Sequence, residues 1–291
     1  MHTPFDLNNE AAYQAWRKHK LAHAPKSVDE LIVEVEDPRQ LTSAEHAALL
    51  AKISSANMVI YAGRQLQEDK DIARKIGQQF GLQNLNANWL AGEDGISQIQ
   101  VNNEDSAKGY IPYTNRPIKW HTDGYYNTPQ EQIRGMILHC VRSAGEGGVN
   151  GLMDHEMAYL LLRDANPEYI RALSEADAMT IPARTDDDGV ARAAQTGPVF
   201  SVGNNGELHM RYTARTRSIE WKQDAATLAA VAALEQLLAS DSPYIYHAQL
   251  KHGMGLLCNN VLHDRTGFVD DAAAPRLLYR ARYFDRIAGT H

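Results

Sequence analysis

Apolar positions follow two rhythms along this chain, and the rhythm changes near residue 110. Before that point helical spacing dominates. Ala12, Trp16 and Leu21 share one side of an amphipathic helix expected within the first 22 residues. Leu31 to Val35 reads as a strand, and Ser43 is expected to cap a helix over Ala44 to Ser54. Met58 to Tyr61 is a short buried strand ended by Gly63. Glu68 to Phe80 places Ile72, Ile76 and Phe80 at helical spacing, with Gly81 just past the end. Ile96 to Val101 alternates Ile with Gln, which predicts a strand with one wet face.

Beyond residue 110, strand signals take over. Arg134 to Val141 is expected in the core, followed by a turn at Gly145-Glu146-Gly147-Gly148. Asp154 to Arg163 breaks in as a helix. Val199 to Val202 and Leu208 to Tyr212 flank Asn204-Asn205-Gly206, a strong hairpin signal. Ala225 to Leu238 is an Ala/Leu helix. Gly255 to Val261 and Leu277 to Phe284 close the chain as strands, with an Asp-rich loop at 269 to 274 between them. There is no repeat and no linker. The expectation is one domain over 1–291, β-rich α+β, with residues 1–55 packing as helices and a strand on the core.

Composition narrows the function. At 291 residues, 44% hydrophobic and 22% charged, the chain has the make-up of a globular protein with an ample core. A net charge of −7 without a basic run argues against nucleic acid or an anionic membrane as partner. No apolar run reaches a membrane span, and the Met-His-Thr-Pro start lacks a signal peptide's apolar stretch. Cys140 and Cys258 lie in separate apolar runs and read as buried, reduced thiols. The cytoplasm is the expected location.

The candidate chemistry lies in Trp120-His121-Thr122-Asp123, answered far downstream by Leu262-His263-Asp264-Arg265. On a strand, residues two apart point to one face, so His121 and Asp123 would converge. A distant His263 would complete the two-His-one-carboxylate face that holds iron(II) and leaves positions open for oxygen and substrate. A His followed two positions later by an acid is expected about 1.5 times by chance in this composition, so the pair alone means little. Its ordinary reading is a solvated pair beside an unrelated strand histidine. The context argues otherwise. Arg276, Leu278, Arg280, Arg282 and Phe284 would share one strand face, and three guanidinium groups on an apolar strand call for anions. A dicarboxylate co-substrate chelating iron by its keto-acid end would supply one.

Three stretches carry a family resemblance. They are Tyr113-Thr114 with Trp120 to Asp123 and Tyr126; Gly147-Gly148-Val149-Asn150 with Asp154, Ala158-Tyr159 and Leu162; and Asn259 to Thr266 with Arg276 and Tyr283-Phe284-Asp285. Over roughly residues 55 to 287 the chain resembles the TauD/TfdA superfamily of iron(II)/2-oxoglutarate-dependent oxygenases, with details of the γ-butyrobetaine-hydroxylase-like branch. The resemblance implies a double-stranded β-helix (jelly-roll) core with flanking and inserted helices. It implies iron(II) on His121, Asp123 and His263, with 2-oxoglutarate and O2 as co-substrates. Arg276 would grip the far carboxylate of 2-oxoglutarate, with Asn150 (where the family often has Thr) and Arg280 assisting. Tyr113 stands where that branch places a cage tyrosine. Together with Tyr125, Tyr126, Arg215 and Arg282 it would meet a small substrate that is zwitterionic or carboxylate-bearing. Asp123 favours hydroxylation or desaturation, since the resembling halogenases lack that carboxylate.

Other features read as structural. His155 is expected to cap or decorate the surface of its helix, His252 to sit in a turn, and the Gly-rich stretch at 145 to 148 to be a turn without phosphate-loop residues. Arg211, Tyr212, Arg215 and Arg217 form a basic-aromatic cluster, half of it expected in solvent. Two rival functions stand beside the oxygenase: a silent binder of metal or 2-oxoglutarate, and a cupin-like metal enzyme that ignores 2-oxoglutarate. A homo-oligomer is compatible with the sequence.

Overall fold

The computed structural model describes residues 3–86, 94–102, 111–186, 189–215, 219–271 and 273–290, so Arg217 lies outside the described residues. Its larger sheet has six strands: β1 (Ile32–Val35), β2 (Met58–Gly63), β3 (Ser97–Ile99), β5 (Gly135–Arg142), β10 (Met254–Cys258) and β12 (Leu277–Tyr283). They lie in the order β1-β2-β10-β5-β12-β3. The smaller sheet takes β4 (Ile118–His121), β6 (Asn150–Met153), β9 (Tyr246–Ala248) and β11 (Leu262–Arg265), in the order β9-β6-β11-β4. Only β1 and β2 among these pair in parallel.

Alternation along the strands builds the layers. Leu138, Cys140, Leu256 and Leu278 of the larger sheet share one buried cluster with Leu152, Tyr246 and Ala248 of the smaller, so the two sheets pack face to face. The intervening residues Tyr61, Ile137, Leu257 and Tyr279 point the other way, onto α2 (Ser43–Ala56) and α3 (Ile72–Gln79). Met153 and Leu262 leave the smaller sheet's far side to meet α4 (His155–Ala165), α5 (Pro167–Leu173) and α6 (Ala225–Leu238). Strands covered on both faces read as unbroken apolar runs, which is why β2, β5 and β10 were visible in the pattern. Gly255 is set by packing: a Cβ there would come within 2.2 Å of the Tyr61 ring across the ladder.

The first 55 residues dock on this core. The Tyr13 hydroxyl of α1 (Glu10–His23) donates to Leu160 O at 3.2 Å and to Asp164 at 2.7 Å. Buried Lys20 pairs with Asp154 at 2.5 Å and Glu156 at 2.6 Å. Among the described residues no helix is long and apolar enough to cross a membrane. Cys140 and Cys258 are free and buried.

Some boundaries differ from the sequence reading. Thr42, not Ser43, caps α2, in a capping box with Glu45. The helix expected from Glu68 begins only at Ile72, because the Asp69 carboxylate accepts from Asp71 N at 2.9 Å and holds a turn in place of the first helical residues. Helix α5 went unread; Asn166 caps it and Pro167 opens it. His155 is fully buried rather than superficial, its Nε2 against Leu208 O at 3.2 Å. Arg211 is buried too, donating to Gln195 O, Met179 O and Gly197 O. Strand β12 ends at Tyr283, so Phe284 does not extend its inner face; its amide bonds Asn84 O instead.

Candidate metal centre

Strands β4 and β11 run antiparallel with His121 directly opposite His263. Their ring centroids stand 4.1 Å apart. Each Nδ1 lies near a carbonyl two residues back on its own strand, Lys119 O at 2.9 Å and Val261 O at 3.0 Å. A carbonyl can only accept, so each Nδ1 carries the proton and each Nε2 presents a lone pair to the space between the sheets.

Asp123 enters from the loop after β4, and Asn260 fixes that loop. The Asn260 amide accepts from Asp123 N at 2.8 Å and donates to Asp123 O at 2.9 Å and to Ile133 O at 2.7 Å. Asn260 itself has φ 51°, a left-handed conformation that Asn tolerates better than most residues. The result brings one ligand atom from each of His121, Asp123 and His263 within 4.8 Å of one another.

The electrostatics suit a dication. Burial, then the neighbouring His263, pushes the His121 pKa down to about 3, so its ring is neutral near pH 7. Burial alone would raise Asp123, but Arg280, Arg282 and the two imidazoles outweigh it and hold the carboxyl below its usual range. Asp123 Oδ2 is buried without a hydrogen-bond donor, its nearest cation being Arg280 Nη1 at 3.4 Å. Two imidazole nitrogens and an under-satisfied carboxylate oxygen form a donor set that fits iron(II).

Three arginines flank this centre along β12 and the residue before it. Arg276 is buried, and among the described residues its guanidinium has no hydrogen bond or ion pair. It stacks at 5.0 Å from the Phe268 ring centroid, with Arg265 over the same ring at 4.7 Å. The turn beside it needs glycine: Gly147 has φ +72°, and a Cβ there would meet Gly267 O at 2.3 Å. Arg280 is the residue against Asp123. Arg282, also buried, donates to the Tyr126 hydroxyl at 3.0 Å and to Asn86 Oδ1 at 2.6 Å, both neutral acceptors.

The remaining sequence candidates fall as follows. Tyr113 lies inside the inter-sheet cluster with a buried hydroxyl that has no partner. Tyr125 meets His121 edge-on at 6.5 Å and Tyr126 at 5.2 Å. Asn150 donates to Asp264 O at 3.0 Å, while its Oδ1 is buried and unpaired. Arg215 is half-buried two residues after Thr213, whose backbone bridges to His121, but among the described residues its guanidinium touches none of the triad. Sequence reasoning passed over Asn260, Asn86 and Arg192, whose guanidinium covers the Tyr126 ring at 5.3 Å. Only Asn260, three residues before His263, had a positional signal.

The fold and the triad define a candidate metal-binding site between two sheets. The chain belongs to the "Taurine catabolism dioxygenase TauD, TfdA" family, whose model matches residues 24–282. It is similar to a uridine-5'-phosphate dioxygenase from Amycolatopsis sp, with 34% identity over 56% of this chain and 60% of that protein. It is also similar to a trimethyllysine dioxygenase from Meyerozyma guilliermondii, with 28% identity over 56% of this chain and 42% of the relative. The matched stretches therefore span about half of those two relatives. In fold it is similar to the non-haem iron oxygenase OrfP, solved with Fe, succinate and (3R,4R)-dihydroxy-L-Arg. There the TM-score is 0.61 at 15% identity, over 84% of this chain and 82% of that one.

Proposed function

We propose that the protein is an iron(II)/2-oxoglutarate-dependent dioxygenase, built as one domain on a jelly-roll core and working in the cytoplasm, that hydroxylates or desaturates a small polar molecule. One observation carries the reading: a converged His121-Asp123-His263 triad is accompanied by Arg276, a buried guanidinium that among the described residues has no hydrogen bond or ion pair. A buried unpaired cation is unfavourable unless an anion joins it. Iron, when bound, would let O2 and 2-oxoglutarate be converted to succinate and CO2, with the second oxygen atom passing to the substrate on hydroxylation or leaving as water on desaturation.

The chain's own residues divide that work. The Nδ1 protons held by Lys119 O and Val261 O orient both imidazoles, and Asn260 orients Asp123. Arg276 takes the far carboxylate of 2-oxoglutarate, with Asn150 near by, and Arg280 stands beside the keto-acid end. At roughly 3.3 Å per residue, Arg276 lies about 13 Å from Arg280 along the chain, while Arg282 lies about 7 Å beyond on the other side. Co-substrate and substrate therefore approach from opposite ends of β12. The substrate's acidic end meets Arg282, with Tyr113, Tyr125 and Tyr126 around its body and Arg215 at the rim. The names of the two curated relatives, a nucleotide dioxygenase and a trimethyllysine dioxygenase, fit charged small molecules.

The test is succinate release in a substrate screen of amino acids, betaines, sulfonates, nucleoside monophosphates and bare carboxylates. Turnover above an Asp123→Ala control supports the reading. Turnover that needs metal but no 2-oxoglutarate would point to the cupin-like alternative.

A further inference from the structure

A second polar cleft lies away from the metal centre, between the hairpin of β7 (Phe200–Val202) and β8 (Leu208–Met210), the chain entering β5, and the C-terminal segment. Its volume is about 170 Å³, and neither the triad nor the β12 arginines line it. Ser201 and His209 are directly opposed in the hairpin ladder, so their side chains share one face, and both line the cleft. Arg134 and Arg286 line it from the opposing segments.

The cleft holds several unused donors, and its carboxylate is already engaged. Glu207, its carboxylate, already accepts from Arg134 at 2.9 Å and from Asn205 N at 3.1 Å. The Asn259 side-chain Oδ1 accepts from Ile287 N at 3.1 Å. Among the described residues, Arg134 commits only Nη1, to Glu207, while Arg286 commits Nε and Nη2 to Thr290 O and Asn57 and has Glu156 3.9 Å from Nη2, leaving Nη1. The Ser201 hydroxyl and the His209 ring have no hydrogen bond to a described residue. Burial, then the neighbouring His155, Arg134, Arg286 and Arg211, lowers the His209 pKa to about 3, so its ring is neutral near pH 7.

We propose that this cleft binds the oxyanion end of a small molecule, a phosphate or carboxylate group, between Arg134, Arg286, Ser201 and His209. The free Nε and Nη2 of Arg134, the free Nη1 of Arg286 and the hydroxyl supply the donors, and a cleft with low-dielectric walls concentrates the field on the anion. The site stands independently of the iron reading. One lining residue, Asn259, precedes in sequence the Asn260 that holds Asp123.

The experiment is calorimetric titration of the full chain, loaded anaerobically with Fe(II), at fixed ionic strength. One arm uses inorganic phosphate and the other acetate. Saturable 1:1 binding of either probe is expected, the preferred probe identifying the head group. Ser201→Glu, which places a carboxylate in the cleft, should weaken that binding at least tenfold. His209→Gln should weaken it less, and His263→Ala should leave it unchanged. No saturable binding of either probe, undiminished binding by Ser201→Glu, or loss of binding in His263→Ala would each overturn the proposal.

Discussion

His121 and His263 face each other across one rung of the β4-β11 ladder, with ring centroids 4.1 Å apart and each Nδ1 tied to a carbonyl of its own strand. The backbone thus sets the protonated nitrogen of both rings before any metal arrives. Replacing His263 with Ala removes one of the three proposed ligands but no strand hydrogen bond. The variant is expected to keep the wild-type circular dichroism spectrum while losing stoichiometric Fe(II) binding in equilibrium dialysis. Retained 1:1 metal would refute the triad.

Asn260 is the residue on which Asp123 depends. Asn260→Gly preserves access to the left-handed conformation but deletes the amide that holds Asp123 and Ile133. Loss of such an outer support typically weakens metal affinity by about 10 to 100-fold. Competition for Fe(II) against a chelator of known strength measures this, and unchanged affinity would show that the loop holds itself.

Arg276→Leu separates the oxygenase from the cupin-like alternative. Leaving a buried charge without its partner costs on the order of 3–5 kcal/mol, which corresponds to about two to three orders of magnitude in the 2-oxoglutarate requirement. The KM for 2-oxoglutarate should rise by that amount while Fe(II) binding stays intact. An unmoved KM would place the co-substrate carboxylate elsewhere.

Acid stability offers a check away from the metal. His139 is buried on the outer side of β5, its Nδ1 2.9 Å from the Tyr61 hydroxyl, and burial lowers its pKa to about 4. A depressed histidine is neutral when folded and charges more readily when unfolded. Its contribution is therefore intact above pH 6.5 and is lost as pH falls from 6.5 towards 4, by on the order of 3 kcal/mol in full. Urea unfolding at intervals across that window should show falling stability in the wild type. His139→Gln should flatten part of the slope, and an identical slope would remove His139 from the account.

How much of this was legible in the sequence depended on whether a feature was local. Strands β2, β5 and β10 announce themselves because both of their faces are covered. The ligand types and the arginine run were visible from spacing and from resemblance. The start of α3 was not, since a single Asp69 side chain decides it. Nor were the roles of Asn260, Asn86 and Arg192, because each depends on which backbone a fold brings opposite. Half of the cluster around Arg211 was expected in solvent, yet three carbonyls from two paired strands close around Arg211. The pattern along one segment carries no record of those partners.

The central claim is that iron(II) and 2-oxoglutarate meet at His121, Asp123 and His263. The most direct measurement is anaerobic addition of Fe(II) and 2-oxoglutarate, followed by visible absorption. A weak charge-transfer band of the iron–keto-acid chelate is expected in the wild type, absent from His263→Ala and requiring far more 2-oxoglutarate in Arg276→Leu. No band in the wild type, or a band that persists undiminished in His263→Ala, would contradict the account.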